Sequence, residues 1–204
     1  MVAMALVALV AIGLAVYFLI PQPKRIEGVK VLVIVAEGFS YHEYAGVTRI
    51  LSMEGATITT ASFTKERVSG SGGSCKPDVT FDEVNVSLYD VIYIPRGNGP
   101  YSIITNPDNL KVYNILTEAY REGKIIAAIC HGPWVLAEAD LVRGKRVTCW
   151  NDQEMINDLK AHGAVVDTGK SVIRDGNMIT ARGLSAMHAL AEEIIKALLE
   201  KEGS

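Results

Sequence analysis

From Val29 onward, short runs of apolar and β-branched residues alternate with stretches whose apolar residues recur at helical spacing. This alternation is typical of a mostly parallel sheet with helices packed on both faces. The sequence therefore predicts a flavodoxin-like α/β domain. Strands are expected at 29–35, 57–63, 91–94, 125–129, 146–150, 171–174 and 178–180, and helices at 44–54, 108–121, 134–138, 153–162 and 185–199. Residues 68–76, which are rich in glycine and serine, are expected to form a mobile loop.

Residues 2–20 carry no charged side chain. Nineteen residues at about 1.5 Å each span roughly 28 Å, close to the hydrocarbon core of a bilayer. The run lacks the preceding Lys or Arg of a cleaved signal peptide and the polar face of a buried core helix. We therefore expect the α/β fold to carry an N-terminal transmembrane helix, with an anchor at 1–21, a linker at 22–28 and a domain at 29–204. Basic residues follow the run, so the positive-inside rule places the domain in the cytoplasm.

The charged residues and the cysteines limit the possible partners. The chain has 20 basic and 23 acidic residues, well mixed along its length. Without a basic stripe, nucleic acid is excluded as a partner. Cys75, Cys130 and Cys149 show no CxxC or other metal-ligand spacing, and no dinucleotide fingerprint is present. We therefore expect no cofactor, and any cysteine chemistry rests on a single thiol.

Cys130 stands at the most informative point of the sequence. The apolar run at 125–129 stops at this residue, and a helix is predicted to begin almost at once, with Gly132 allowing a tight turn. Backbone N–H groups at a helix start favour an anion and lower a thiol pKa, so we expect an accessible, reactive thiolate. His131 beside it offers a general base or acid. The alternative is a buried cysteine that acts as a small apolar side chain.

The stretch AICHGP at 128–133 resembles the signature of the ThiJ/PfpI family, within the class I glutamine amidotransferase-like superfamily. The likeness runs from residue 30 to about residue 199, with further matches in the same order and spacing. These are AEGF at 36–39, ASF at 61–63, FDEV at 81–84, YDVIYIP at 89–95, GK at 144–145 and ARG at 181–183. Together they are specific for the family, although not for one activity within it.

The resemblance implies roles for several residues. Cys130 matches the family's nucleophile, and His131 matches its adjacent histidine. Glu43 falls where the family places a carboxyl group that hydrogen bonds to the cysteine; if burial keeps it protonated, it can donate to sulfur or shuttle a proton. Gly97 resembles the glycine whose amide forms an oxyanion hole with the amide of His131.

One segment departs from the family pattern. The sequence PRGNGPY at 95–101 places Tyr101 where the peptidase branch has a glutamate supplied by a neighbouring subunit, and Arg96 replaces the first glycine of the turn. A tyrosine does not orient an imidazole as a carboxylate does. In the heat-shock chaperone and glyoxalase III branch an acid follows the next strand, and Asp152 is in register with it. The alternative role of Asp152 is to cap the helix that begins near Gln153.

Three functions remain open from the sequence. The first is an enzyme that uses Cys130 on small reactive carbonyl compounds, as cofactor-independent glyoxalases and deglycases do. The second is a PfpI-type cysteine peptidase or amidase acting on a peptide. The third is a stress chaperone or a thiol redox sensor that is not an enzyme. We expect a homo-oligomer, a dimer or larger, in each case.

Overall fold

A computed structural model describes residues 24–202. The strands are β1 Lys30–Ile34, β2 Phe39–Ser40, β3 Thr57–Ser62, β4 Val68–Ser71, β5 Gly73–Cys75, β6 Val79–Thr80, β7 Val91–Ile94, β8 Ile125–Ile129, β9 Arg146–Val147, β10 Val165–Val166, β11 Val172–Asp175 and β12 Met178–Ala181. The α-helices are α1 Tyr41–Met53, α2 Gly99–Ile104, α3 Asn109–Arg121, α4 Gly132–Glu138, α5 Gln153–Ala161 and α6 Met187–Glu202. Short 3₁₀ turns cover Phe81–Glu83, Val86–Leu88 and Leu184–Ala186.

The main sheet has seven strands in the order β11-β12-β8-β7-β1-β3-β6. Every neighbouring pair is parallel except β11 and β12, which form an antiparallel hairpin. The flavodoxin-like α/β sheet expected from the sequence is therefore present. Because β1, β7 and β8 are adjacent and parallel, the loops that follow them meet at one edge of the sheet. That edge is where open α/β sheets form their sites.

Strand β8 shows why helices cover both faces of the sheet. All five of its residues are buried, and side chains alternate between the faces of a strand. Ile126 and Ala128 join the apolar cluster that includes residues of α3, α4 and α5. The other three residues of β8 join the opposite cluster, with residues of α1 and α6. A strand without a polar face can be accommodated only at the centre of such a three-layer arrangement.

The expectation of a transmembrane helix needs correction. Residues 2–20, on which it was placed, lie outside the described residues, and no helix within 24–202 is long and apolar enough to cross a bilayer. The longest of the described helices, α6, has 16 residues and is interrupted by Glu and Lys, whereas a span needs about 20 apolar residues. The predicted transmembrane fold and the membrane location are therefore wrong. A membrane partner has no support.

Two segments differ from the expected secondary structure. Residues 68–76 are not a loop: β4 and β5 form an antiparallel hairpin, and β4 pairs with β2. Gly70 makes this possible, because a Cβ there would overlap the carbonyl oxygen and ring of Phe39. The strand expected at 146–150 pairs only over Arg146–Val147. Beyond it, the amide of Thr148 donates to the Thr180 hydroxyl, so the backbone is held by a side chain and not by a ladder.

Candidate active site

Two loops at the carboxyl edge of the sheet are locked together. The amide of Ser40, before α1, donates to the carbonyl oxygen of Arg96 at 2.6 Å, and the amide of Asn98 donates to Gly38 at 2.8 Å. Between these bonds Gly97 has φ of +104°, and a Cβ on it would overlap the backbone at 38–40. Only glycine fits such a position. The segment after β7 is therefore fixed against the start of α1.

Cys130 stands on a sharp strand-to-helix turn. Its φ of +62° is a left-handed conformation, which costs a residue with a side chain roughly 1–2 kcal/mol. Two bonds hold this conformation: the Cys130 amide donates to Ala181 at 2.8 Å, and its carbonyl accepts from Trp150 at 3.0 Å. Gly132 lets α4 start close to β7, since a Cβ there would lie 2.8 Å from the Ile94 carbonyl oxygen. The predicted nucleophile-elbow geometry is thus present.

The thiol of Cys130 is less accessible and has a higher pKa than the sequence suggests. Cys130 is only 1% exposed, and burial raises the pKa of its thiol to about 12, with the negative charge of Glu43 adding to the effect. The Arg96 guanidinium and the backbone amide of His131 act in the opposite direction. The expected accessible, low-pKa thiolate is therefore absent from the resting structure. Apolar surroundings outweigh the helix start, because desolvation disfavours the charged form of sulfur.

Glu43 lies in the first turn of α1 with no solvent exposure. Burial raises its pKa to about 7, and the positive charge of Arg96 partly opposes the shift. The Nε atom of Arg96 lies 3.6 Å from Oε2 of Glu43. Within the described chain, this Nε atom and both carboxyl oxygens form no hydrogen bond of normal geometry, so none joins Glu43 to Cys130. The backbone amide of Arg96 is still near enough to the carboxyl to oppose the burial-driven rise of the Glu43 pKa. The result is a buried carboxyl group that changes protonation near neutral pH.

His131 is in direct contact with the thiol, since its Nδ1 atom lies 3.3 Å from the Cys130 sulfur. Burial lowers the His131 pKa, the charge of Asp152 opposes this shift and that of Arg96 adds to it. Asp152 caps α5, with its Oδ1 atom accepting from the Met155 amide at 2.9 Å. In the part of the chain that the structure describes, no hydrogen bond links Asp152 to His131. Asp152 is therefore close enough to influence the imidazole through its charge, but its contact is that of a helix cap.

Two backbone amides, those of Gly97 and His131, are predicted to form an oxyanion hole, and one of them is free to donate. Among residues 24–202, the Gly97 amide has no acceptor, whereas the His131 amide interacts with the Cys130 sulfur. Tyr101 lies on α2 with 58% of its surface exposed, and its ring centroid is 6.5 Å from that of Trp134 on α4. Its position offers an aromatic surface and no carboxylate.

Two features of the site were missed or only half seen in the sequence. Tyr93 is fully buried, and its hydroxyl donates to the Glu43 carbonyl oxygen at 3.1 Å. Its one signal was that it is the single polar side chain in the apolar strand VIYI. Arg96 stood out as a departure from the family pattern, but its ion pair with Glu43 crosses more than 50 residues of sequence and could not be read from either residue alone.

One group of side chains in the described chain has ligand atoms close enough to hold a metal ion: Glu138, Asp158 and His162, within 4.8 Å of one another. Existing contacts account for this group. Asp158 accepts from the Trp134 indole at 2.8 Å, and His162 Nδ1 lies 3.0 Å from the Asp158 carbonyl oxygen, to which it can only donate. The group lies near the surface and contains none of the residues placed at the Cys130 site.

Comparison with known proteins agrees with the resemblance noted in the sequence. A model of the DJ-1/PfpI family matches residues 29–197. Two archaeal proteins named deglycases, from Pyrococcus horikoshii and Pyrococcus furiosus, are each 32% identical over 170 residues, which are 83% of this chain and 99% of each relative. The crystal structure of Drosophila melanogaster DJ-1beta is 29% identical with a TM-score of 0.75, covering 85% of this chain and 92% of that one.

Proposed function

This chain belongs to the DJ-1/PfpI family, and on that basis we propose that it is an enzyme whose Cys130 attacks reactive carbonyl compounds. The chemistry is that of a deglycase or a cofactor-independent glyoxalase. The names of its archaeal relatives support an enzyme of this kind at the level of the family. The choice of substrate rests on the site itself.

One observation carries the proposal: a strained cysteine touches a histidine and lies beside a buried carboxyl group that titrates near neutral pH. A general base works best when its pKa is near the working pH. Burial gives Glu43 such a pKa, about 7, while the thiol keeps its proton at rest. The thiol therefore needs a base at the moment of attack, and Glu43 is suited to that role. Catalytic hydrogen bonds are often long without substrate and shorten when it binds.

The proposed reaction begins when the Cys130 sulfur adds to the aldehyde carbon of an α-oxoaldehyde. The new S–C bond forms as the carbonyl π bond breaks toward oxygen. The thiol proton moves to Glu43 and then to that oxygen, which gives a hemithioacetal. The open Gly97 amide is suited to stabilise the developing charge on oxygen.

Glu43 and His131 then move a proton from the former aldehyde carbon to its neighbour through an enediol. The carbon bearing sulfur is oxidised to a thioester and the adjacent carbonyl is reduced to a hydroxyl. Water hydrolyses the thioester, releasing an α-hydroxy acid and the free thiol. Over the cycle one water is consumed, and neither an external oxidant nor a cofactor is required.

Peptide hydrolysis is the weaker alternative, because acyl transfer needs an imidazole held in one tautomer. Losing the orienting carboxylate of a triad reduces kcat about 10⁴-fold. Tyr101 is exposed and has no carboxylate, and Asp152 is engaged in capping α5. Addition to an aldehyde depends less on that orientation, since the electrophile is already activated.

The test compares conversion of methylglyoxal with cleavage of a fluorogenic peptide by the full chain. We expect conversion of methylglyoxal, abolished by Cys130→Ala and strongly reduced by Glu43→Gln. Cys149→Ala is the matched control, because it removes a fully buried sulfur of the same size outside the turn, and it should keep the activity. Robust peptide cleavage that Tyr101→Glu leaves unchanged, or that Asp152→Asn alone abolishes, would favour the peptidase. Conversion that survives Cys130→Ala would exclude the proposed mechanism.

A further inference from the structure

The backbone of Arg96 is held rigidly at the site. Its carbonyl oxygen accepts from Ser40 at 2.6 Å, and the next residue, Gly97, has no space for a side chain against residues 38–40. Pro95 before it restricts the backbone as well. The direction in which the Arg96 side chain leaves the loop is therefore fixed by the fold.

The Arg96 side chain connects a buried charge with solvent. Its Nε atom lies 3.6 Å from the Glu43 carboxyl, which has no exposure, while 36% of the Arg96 side chain is exposed. Within residues 24–202 the two terminal amino groups of Arg96 have no hydrogen-bond acceptor. Four N–H donors in the fixed planar geometry of a guanidinium group are thus available, and that geometry matches a carboxylate.

The positive charge of Arg96 also acts on the reacting groups. It lowers the pKa values of both Cys130 and His131, after the larger effect of burial in each case. Its one ion pair in the described chain is with Glu43. When Glu43 takes up the thiol proton during attack, that pair loses its negative partner. A second anion beside Arg96 would then take the place of the Glu43 carboxylate as the partner of the guanidinium group.

We propose that Arg96 binds a carboxylate on the substrate, so that the Cys130 site prefers reactive carbonyl compounds that carry an acid group. This inference rests on the proposed carbonyl chemistry and adds a substrate class to it. The acid group would contact the terminal amino groups of Arg96 while the aldehyde carbon meets the sulfur. Neutral compounds such as methylglyoxal would react without this contact.

The test uses two substrates that share an α-oxoaldehyde and differ at the far end: dioxopentanoate, which ends in a carboxylate, and its methyl ester, which is uncharged and larger by one methyl group. We expect the full chain to show a kcat/KM about tenfold or more higher for the acid, as one charge-assisted bidentate contact allows. Arg96→Gln should remove this preference, and Arg96→Lys should restore part of it. The ratio of the two substrates is the readout, because any effect of Arg96 on the thiol or on Glu43 changes both rates alike.

Arg121→Gln is the matched control. It makes the same change in net charge at the end of α3, before β8, whereas Cys130 follows the other end of β8. It should leave the preference intact. Equal kcat/KM for acid and ester, or an Arg96→Gln variant that keeps the preference, overturns the inference while the proposed function stands.

A binding measurement separates failure of the inference from failure of the proposed function. Oxopentanoate, a keto acid without the aldehyde, and its methyl ester are titrated into Cys130→Ala with and without Arg96→Gln, and binding is followed by NMR. Preferential binding of the acid that depends on Arg96 supports the inference even if no aldehyde is converted, in which case the proposed function fails alone. Equal binding of acid and ester overturns the inference.

Discussion

The hydroxyl of Tyr93 donates a 3.1 Å hydrogen bond to the backbone carbonyl of Glu43 and so joins the centre of β7 to the first turn of α1. We expect Tyr93→Phe to lower the free energy of unfolding by about 1 kcal/mol, because a buried hydrogen bond is lost. It should also reduce Cys130-dependent activity, since α1 positions the Glu43 carboxyl. Denaturant titration and methylglyoxal turnover measure the two effects.

Tyr113→Phe is the control for that prediction, because it makes the same chemical change elsewhere. The Tyr113 hydroxyl is buried and forms no hydrogen bond of normal geometry in the described chain; burial raises its pKa, and the nearby Asn109 side chain only partly opposes that shift. Its removal should leave stability unchanged or slightly higher. Equal losses in both variants would mean that the bond to Glu43 contributes nothing specific.

Glu43 should make the protein less stable as the pH rises. Its pKa rises from an ordinary 4.5 to about 7 on folding, so the folded state binds more protons between these values. The stability contributed by protonated Glu43 is then fully present below about pH 4.5 and is lost as the pH rises through about 7. Glu43→Gln should remove up to about 3 kcal/mol of this loss. Chemical denaturation at about pH 5 and about pH 8 measures it, and costs that do not depend on pH cancel in the difference.

Glu54 provides a comparison of opposite sign. A hydrogen bond from Arg25 lowers the Glu54 pKa, so its contribution is present above the ordinary pKa and is lost on acidification. Glu54→Gln should therefore cost stability at neutral pH and little at acid pH. If both variants showed the same pH dependence, the raised pKa of Glu43 would be wrong.

The thiol of Cys130 should respond to its two charged neighbours in opposite directions. Glu43 raises its pKa and Arg96 lowers it, so Glu43→Gln should lower the thiol pKa and Arg96→Gln should raise it. Ultraviolet absorbance of the thiolate against pH, with Cys130→Ser subtracted, reports the value directly. In the resting chain, iodoacetamide should alkylate the partly buried Cys75 faster than Cys130. Fast alkylation of Cys130 well below pH 8 would contradict the buried, protonated thiol.

Gly97 should be far less replaceable than Gly123, which shares its positive φ. Gly97→Ala adds both backbone strain and an overlap with residues 38–40, for a cost of roughly 2–5 kcal/mol. Gly123→Ala also has positive φ but meets nothing within 4 Å, so about 1–2 kcal/mol is expected. Thermal unfolding of the two variants compares them. A Gly97→Ala protein as stable as Gly123→Ala would show that the two loops are not locked.

The sequence predicted the sheet and the turn at Cys130 because both depend on local patterns. Runs of apolar residues identified the central strands, and a strand broken by a cysteine and followed by Gly132 identified the elbow. The hairpin at 68–76 was missed, since its glycines looked like a loop until the space needed by Phe39 was known. The state of the thiol was also missed, because burial on all sides is a property of the folded chain. The domain limits, the oligomer and the roles of the site residues stay predictions.

The amide and the carbonyl of Cys130 are hydrogen bonded to Ala181 and Trp150, so the position of the Cys130 backbone is set by the fold. Arg96 and Tyr101, by contrast, project from the segment after β7, where a side chain can be exchanged without touching the sheet. For protein engineering this divides the site into a fixed part, the turn at Cys130, and a part that can be varied, the segment after β7. New substrate preferences should be sought by varying 96 and 101 together, and libraries that vary 128–132 should yield mostly inactive chains.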